Sequence, residues 1–376
     1  SYGFLGRDGV KLKPLISYQG VWALSTGGVT VPGGGEATQL LNVVIAEGGP
    51  EALRRTLRRH LGETEPTAVT GSILDPAKAP VVGARVHVRS DDSKTYITMT
   101  RSDAKGHYAV NLPPGAYRLT VVADGRLPTK ETTIQAAKTE VIQDLNVDGT
   151  ATVTFTVADT DGSPLPAKLI FMPKNKPTAL PKSFGEATFP GGAARVLFHL
   201  PGEEKTTLAP GTYTVTASRG FEYELDTQTI TLAAGDTKAL SFSLKHSVDT
   251  TGYMCGDFHL HAMWSPDSSD LYDFKVASFA AGGLELAVAT DHEYITDYTP
   301  FIKTLGLERW VFGIIGEELT TFAYGHFNPY PITIDTTQPN NGAVLWWDRS
   351  PPQLFDDVRA RWPSAIFQIN HPRSAP

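Results

Sequence analysis

The segment Pro114-Gly115-Ala116-Tyr117-Arg118-Leu119-Thr120-Val121 returns 96 residues later as Pro210-Gly211-Thr212-Tyr213-Thr214-Val215-Thr216-Ala217. Each copy is a turn followed by an alternating strand, so the middle of the chain is written as two tandem β units. Ala84-Arg85-Val86 is answered by Ala167-Lys168-Leu169 at an offset of only 83. The second copy therefore carries an insertion of about thirteen residues, which we place in the Pro/Lys-rich stretch from Pro173 to Pro181. Around the repeats, short alternating segments separated by turn clusters predict a β-sandwich over 66–148 and a second over 150–246.

Composition narrows the function classes. With 376 residues the chain has room for two or three domains, and Gly and Pro (35 and 27) favour short strands over long helices. A net charge of −7 argues against a nucleic-acid footprint. No apolar run approaches the ~20 residues of a membrane-spanning helix. The single cysteine, Cys255, excludes an internal disulfide; it reads as a small interior residue.

Residues 1–64 read as a β-rich segment ending in a helix, with strand-like runs at Val21–Leu24 and Val29–Val31. Leu53, Leu57 and Leu61 recur every four residues with Arg54, Arg55, Arg58 and Arg59 between them, the pattern of an amphipathic helix with a solvated arginine face. Gly33-Gly34-Gly35 lacks the Lys-Ser/Thr ending of a phosphate loop and reads as a turn. His87, His107, His199 and His246 read as surface or half-buried residues, because none has a second ligand at metal-like spacing.

From Thr251 the pattern changes. Strands at 253–261, 284–290, 310–316 and 365–370 alternate with helices at 269–281, 299–307 and 351–361, with a hairpin-like excursion at 319–347. This is a β/α series of four units, for which parallel strands and right-handed crossovers are expected. His259, His261, His292 and His371 each fall at a strand end, as do Glu317 and Glu318, and the carboxyl ends of parallel strands form one face. In Asp257-Phe258-His259-Leu260-His261 the two-residue period puts Asp257 and both histidines on one side and Phe258 and Leu260 on the other. Two imidazoles so spaced can chelate one cation, with Asp257 and Asp291 placed to orient ligands. A mixed His/carboxylate set suits Zn, Mn or Fe, not an all-oxygen Mg or Ca cage. More candidate ligands than four imply at least two ions, with hydrolysis by a metal-activated hydroxide as the chemistry.

The motifs carry a resemblance. Gly256-Asp257-Phe258-His259-Leu260-His261 with Ser265-Pro266-Asp267-Ser268, Ala289-Thr290-Asp291-His292, Gly316-Glu317-Glu318-Leu319-Thr320, Gly325-His326-Phe327-Asn328 and Asn370-His371-Pro372-Arg373 resemble the polymerase-and-histidinol-phosphatase (PHP) superfamily. Their wording is most similar to its carbaryl-hydrolase (CehA/McbA-type) branch. The two β units resemble carboxypeptidase-regulatory-like sandwiches, which implies a spacer or docking module and no chemistry of its own. The fold expected is thus multidomain: all-β sandwich modules followed, over 251–376, by the first four βα units of a distorted (β/α)7 PHP barrel.

The resemblance implies two or three divalent metal ions held by His259, His261, His292, Glu318, His326 and His371, with Glu317 the lesser candidate beside Glu318. Asp267 stands where many superfamily members have another histidine and is a candidate catalytic residue. Arg373 is a second one, facing an anionic or carbonyl oxygen, unless it forms a surface salt bridge. The expected partner is a small-molecule substrate cleaved at an amide, carbamate or ester bond. The alternatives are a phosphoesterase of the same superfamily, disfavoured by the few basic residues near the motifs (Lys275, Lys303, Arg309, Arg373), and a surface binding protein with a structural metal site. The family's last motif, Asp-x-His, does not follow His371, and four strands cannot close a barrel. The rest of the barrel is therefore expected from a second chain or an omitted segment. An extracytoplasmic location is expected from the sandwich modules.

Overall fold

The computed structural model describes residues 2–6, 12–18, 21–25, 30–31, 33–36, 38, 41–47, 49–62, 66–92, 94–137, 139–321 and 323–372. Strand Tyr2–Gly6 pairs antiparallel with Leu41–Ile45, and Lys13–Tyr18 with Val21–Ser25. Of the second strand-like run, Val29 lies outside the described residues and Thr30 and Val31 are not in a strand; Gly33 and Gly34 do lie in a turn. Helix Pro50–His60 starts with proline in its first turn, where the missing N–H costs nothing. The helix is amphipathic as expected, but its arginine face is not wholly solvated. Arg58 is buried and donates to Asn111 O at 3.0 Å, while buried Glu51 accepts from Asn111 N at 3.0 Å. Leu61 stays 53% exposed. Arg55 and Arg59 remain on the solvent side.

The first sandwich sets the sheet 132–136, 115–122, 85–90, 96–101 against a layer centred on strand Thr67–Leu74. That central strand pairs antiparallel with His107–Leu112 and parallel with 141–142 and 145–146. The second sandwich repeats the order: 226–232, 211–218, 167–173, 195–199 in one sheet, and 204–208, 151–159, 237–244 in the other. Inward side chains alternate along the strands, as Val153, Phe155 and Val157 do, and close each core.

The repeat holds in atomic detail. Gly115 and Gly211 adopt φ of 157° and 156°, which favours glycine. The tyrosine two residues on turns its hydroxyl back, Tyr117 to Pro113 O at 2.9 Å and Tyr213 to Ala209 O at 2.7 Å. The insertion falls between strands Ala167–Pro173 and Arg195–His199, and so extends beyond Pro181. Two histidines expected at or near the surface are buried. His87 is 1% exposed between Glu186 and Tyr96, and His199 is fully buried with Nδ1 3.5 Å from Glu204 Oε1 and its ring against Phe155.

The C-terminal region departs from a uniform β/α series. Strands Gly256–Leu260, Leu286–Ala289 and Phe312–Ile314 are parallel, linked by helices Tyr272–Ala281 and Thr299–Thr304. The chain then folds back. Leu319–Thr321, Gly325–Tyr330 and Ile366–Asn370 form an antiparallel sheet, so the fourth strand does not extend the parallel set as expected. The hairpin Leu319–Tyr330 supplies the neighbour that the last strand pairs with. Helix Pro351–Arg361 begins with a capping box between Ser350 and Gln353. Cys255 is exposed, contrary to the interior reading, because its strand begins only at Gly256. Leu260 is buried as expected, but Phe258 stays 40% exposed, its ring 5.7 Å from that of Tyr330. Among the described residues no helix is long and apolar enough to cross a membrane.

Arg219 joins this region to the second sandwich. It is buried, donates to Pro166 O at 3.1 Å and to Ala280 O at the end of helix Tyr272–Ala281, and lies 4.6 Å over the Trp310 ring. Burial pulls its pKa below the usual guanidinium value, with nearby Tyr223, Glu222 and Glu285 opposing that shift. Trp310 packs against the cores on both sides.

Candidate metal centre

Glu318 is the hub. It follows the end of the parallel sheet, forms a bridge with His292 and is fully buried. Oε2 lies 3.1 Å from His259 Nε2, 3.2 Å from His261 Nε2 and 3.3 Å from His292 Nδ1. Oε1 lies 3.0 Å from His326 Nδ1, 3.4 Å from His371 Nε2 and 2.9 Å from Asn370 Nδ2. The six ligand candidates named from the sequence thus meet around one carboxylate. Within them, His259, Glu318 and His371 form one three-donor group and His261, His292 and Glu318 another, each with ligand atoms within 4.8 Å of one another.

The donor set fits divalent cations. A carboxylate has about four lone-pair positions, fewer than the six nitrogens around Glu318. Only His259, His326 and Asn370 meet it in hydrogen-bond geometry. Donors ~2.0–2.2 Å from one tetrahedral ion would stand ~3.3–3.6 Å apart, close to the separations of His261, His292 and His371 from Glu318. Burial alone would raise the Glu318 pKa. Contacts from His259, His261 and His326 and the charge of His292 outweigh it and hold the carboxyl far below the usual range. The His259 pKa is raised, chiefly by its bond to Glu318, and that of His292 is lowered, chiefly by burial.

Side-chain exposure rises from 12% at His292 to 43% at His371, so the site opens on the His371 side. Asp267 sits beside the more enclosed group, Oδ1 3.7 Å from His261 Nδ1 and Oδ2 3.5 Å from His292 Nε2. It accepts from Ser265 Oγ at 2.7 Å, which also meets His261 Nδ1 at 2.9 Å. Burial would raise the Asp267 pKa, but Ser265 and the two imidazoles bring it below its ordinary value. Arg373 lies outside the described residues.

Glu317 points away from the cluster, accepting from Val344 N at 3.2 Å, and burial pushes its carboxyl up to about 8. Asp257 accepts from the His259 backbone N at 3.0 Å and so fixes the strand, not an imidazole. Asp291 accepts from Ala262 N, Tyr272 Oη and Thr296 Oγ1, which holds the loop after His261. Sequence reasoning missed the side-chain roles of Ser265, Thr320, Asn328 and Asn370. Thr320 Oγ1 contacts His292 Nδ1, and Asn370 Nδ2 bonds both Glu318 and Asn328. Ser265, Thr320, Asn328 and Asn370 all lie inside the quoted motifs, so motif position was the available signal.

Comparison with known proteins adds the following. Residues 68–148 match the model of the carboxypeptidase regulatory-like domain. No curated protein matches the chain. Among solved structures, a streptococcal ancillary pilin is similar at 18% identity and a TM-score of 0.29, over 50% of this chain and 64% of the pilin. The Bacillus anthracis TIE protein gives 14% and 0.22, over 65% of this chain and 42% of its own. The shaft pilin SpaA from Lactobacillus rhamnosus GG gives 12% and 0.29, over 50% of this chain and 99% of the pilin.

Proposed function

We propose that this chain carries the metal-binding part of a metal-dependent hydrolase of the PHP superfamily, of the CehA/McbA type, cleaving an amide, carbamate or ester bond. The observation that carries this reading is the sharing of Glu318 between two donor groups, His259/His371 and His261/His292. A purely structural site needs only about four ligands and no opening; here more donors converge and one side is exposed. Two divalent ions, when bound, supply a nucleophile from water at neutral pH and polarise the scissile bond.

The protein's own groups set the geometry. Glu318 spans both positions, and Asn370 and Asn328 fix its orientation from behind. Ser265 holds the Asp267 carboxylate beside His261 and His292, where it can orient a water. Lys275 is engaged by Asp270 at 3.3 Å and Arg309 lies 4.9 Å over Trp310, so neither is committed to binding a phosphate. Of the basic residues near the motifs, these two thus favour a neutral substrate over a phosphate ester.

The test is metal analysis of the purified protein, followed by a chelator-sensitive assay on p-nitrophenyl esters, carbamates and phosphates. Ester or carbamate turnover lost with chelator and in His259→Ala supports the reading. Turnover confined to phosphates supports the phosphoesterase. Stoichiometric metal with no turnover on any substrate favours a structural site and overturns the proposal.

A further inference from the structure

The insertion that distinguishes the second sandwich from the first reaches across to the first. Its short 3-10 turn Lys182–Phe184 ends at Gly185, whose positive φ directs the chain to Glu186. Phe184 is buried and stacks on His87 of the first sandwich, with centroids 4.1 Å apart and planes 3° from parallel. The Arg89 guanidinium lies 5.4 Å from the centroid of the same Phe184 ring. Glu186 accepts from Arg85 Nε at 2.7 and 3.0 Å and from His87 Nε2 at 2.7 Å. Tyr96 Oη, 3.2 Å away, completes His87 through Nδ1, and Asp124 holds the other arm of Arg85 at 3.0 Å. The corresponding loop of the first sandwich, between strands Arg85–Ser90 and Tyr96–Arg101, is too short to make such an excursion.

The two sandwiches also meet away from this segment. Residues 147–150 link them. Gly125 touches Thr207 so closely that a Cβ there would lie 2.7 Å from its hydroxyl. Beside that point a cleft of about 420 Å³ opens, lined by Val81, Arg101, Asp124, Thr150 and Thr207 among others. Domains joined through one chain move relative to one another by default unless their interface is large and hydrophobic.

We propose that Lys182–Glu186 is a built-in docking segment: its aromatic ring and carboxylate occupy a cationic and aromatic socket on the first sandwich and lock the two modules in a single orientation. A socket of this chemistry recognises an aromatic side chain followed two residues later by an acid. The second sandwich supplies that segment in cis. Losing Glu186 leaves the Arg85 and His87 donors beneath it without their acceptor, and losing Phe184 uncovers the His87 ring, so both halves of the contact act together.

The experiment measures the distance between spin labels on the full chain. Cys255→Ser removes the native thiol, and Lys105→Cys and Lys238→Cys place one label on each sandwich. A single narrow distance distribution is expected, at least about doubled in width by Phe184→Ala/Glu186→Ala. Glu186→Gln, which keeps the size and removes the charge, should give an intermediate width, and the exposed control Lys176→Ala, in the insertion but outside the segment, should leave it unchanged. Far-UV circular dichroism and the melting profile establish that each variant is folded. A broad distribution in the parent chain, or folded Phe184→Ala/Glu186→Ala and Glu186→Gln proteins as narrow as the parent, would overturn the proposal.

Discussion

Asn370 Nδ2 donates to Glu318 Oε1 across 2.9 Å, tying the last strand to the carboxylate at the centre of the histidine cluster. The same amide nitrogen meets Asn328 Oδ1, and Asn328 Nδ2 reaches Phe258 O at 3.1 Å. Three strands are thereby linked behind the donors. Groups that orient ligands from behind typically change metal affinity ~10–100-fold. Asn370→Ala is expected to weaken metal binding by about that factor, read by competition with a chromophoric chelator, while the fold is retained. Unchanged affinity would remove Asn370 from the site.

Glu318→Gln tests the shared carboxylate directly. It keeps the shape and removes the charge that both donor groups depend on. Bound metal is expected to fall by more than half, and any chelator-sensitive turnover by ~10²-fold or more. Elemental analysis beside circular dichroism separates lost metal from lost structure.

His87 gives a pH dependence with a defined sign. Burial lowers its folded pKa below 6.5 despite the Glu186 bond and charge, which act in the other direction. The unfolded chain therefore takes up the proton first as pH falls. The stability contributed by neutral His87 is complete above pH ~6.5 and is lost as pH drops through the folded pKa. His87→Gln keeps a donor but cannot titrate. Its sandwich transition should lose fewer degrees between pH 7.5 and 5.5 than the parent's, by a few °C.

Tyr213→Phe deletes the hydroxyl that bonds Ala209 O at 2.7 Å and leaves a buried carbonyl with one partner fewer. A loss of about 1–2 kcal/mol is expected from urea unfolding of the second sandwich. Tyr117→Phe should cost a similar amount in the first, where the bond to Pro113 O is 2.9 Å.

The two sandwiches were legible because their information is local. A Pro-Gly-x-Tyr turn and an alternating strand fix the backbone within eight residues, and the repeat announces itself. The helix Pro351–Arg361 was equally plain. Strand direction in the C-terminal region was not, since hydrophobic spacing says nothing about which neighbour a strand will choose; Ile366–Asn370 chose the hairpin strand Gly325–Tyr330. His87 and His199 were misplaced because each is covered by a neighbour that no motif marks, Phe184 over His87 and Phe155 beside His199. At the cluster, strand-end position marked His259, His261, His292, His371 and the Glu317/Glu318 pair, and the Gly-x-Glu and Gly-His motifs singled out Glu318 and His326. Asn370 and Ser265 stood inside the motifs, but an amide or hydroxyl shows no role until its neighbours are known.

The seam at Arg219 bears on how the chain can be divided. A guanidinium enclosed between the carbonyls of Pro166 and Ala280 and capped by Trp310 has no water to fall back on. Cutting between 246 and 251 would strip the helix Tyr272–Ala281 of that cation and bare the Trp310 indole on the C-terminal piece. The histidine-bearing region is therefore not a detachable cassette: whoever wishes to express it alone must carry the preceding sandwich along.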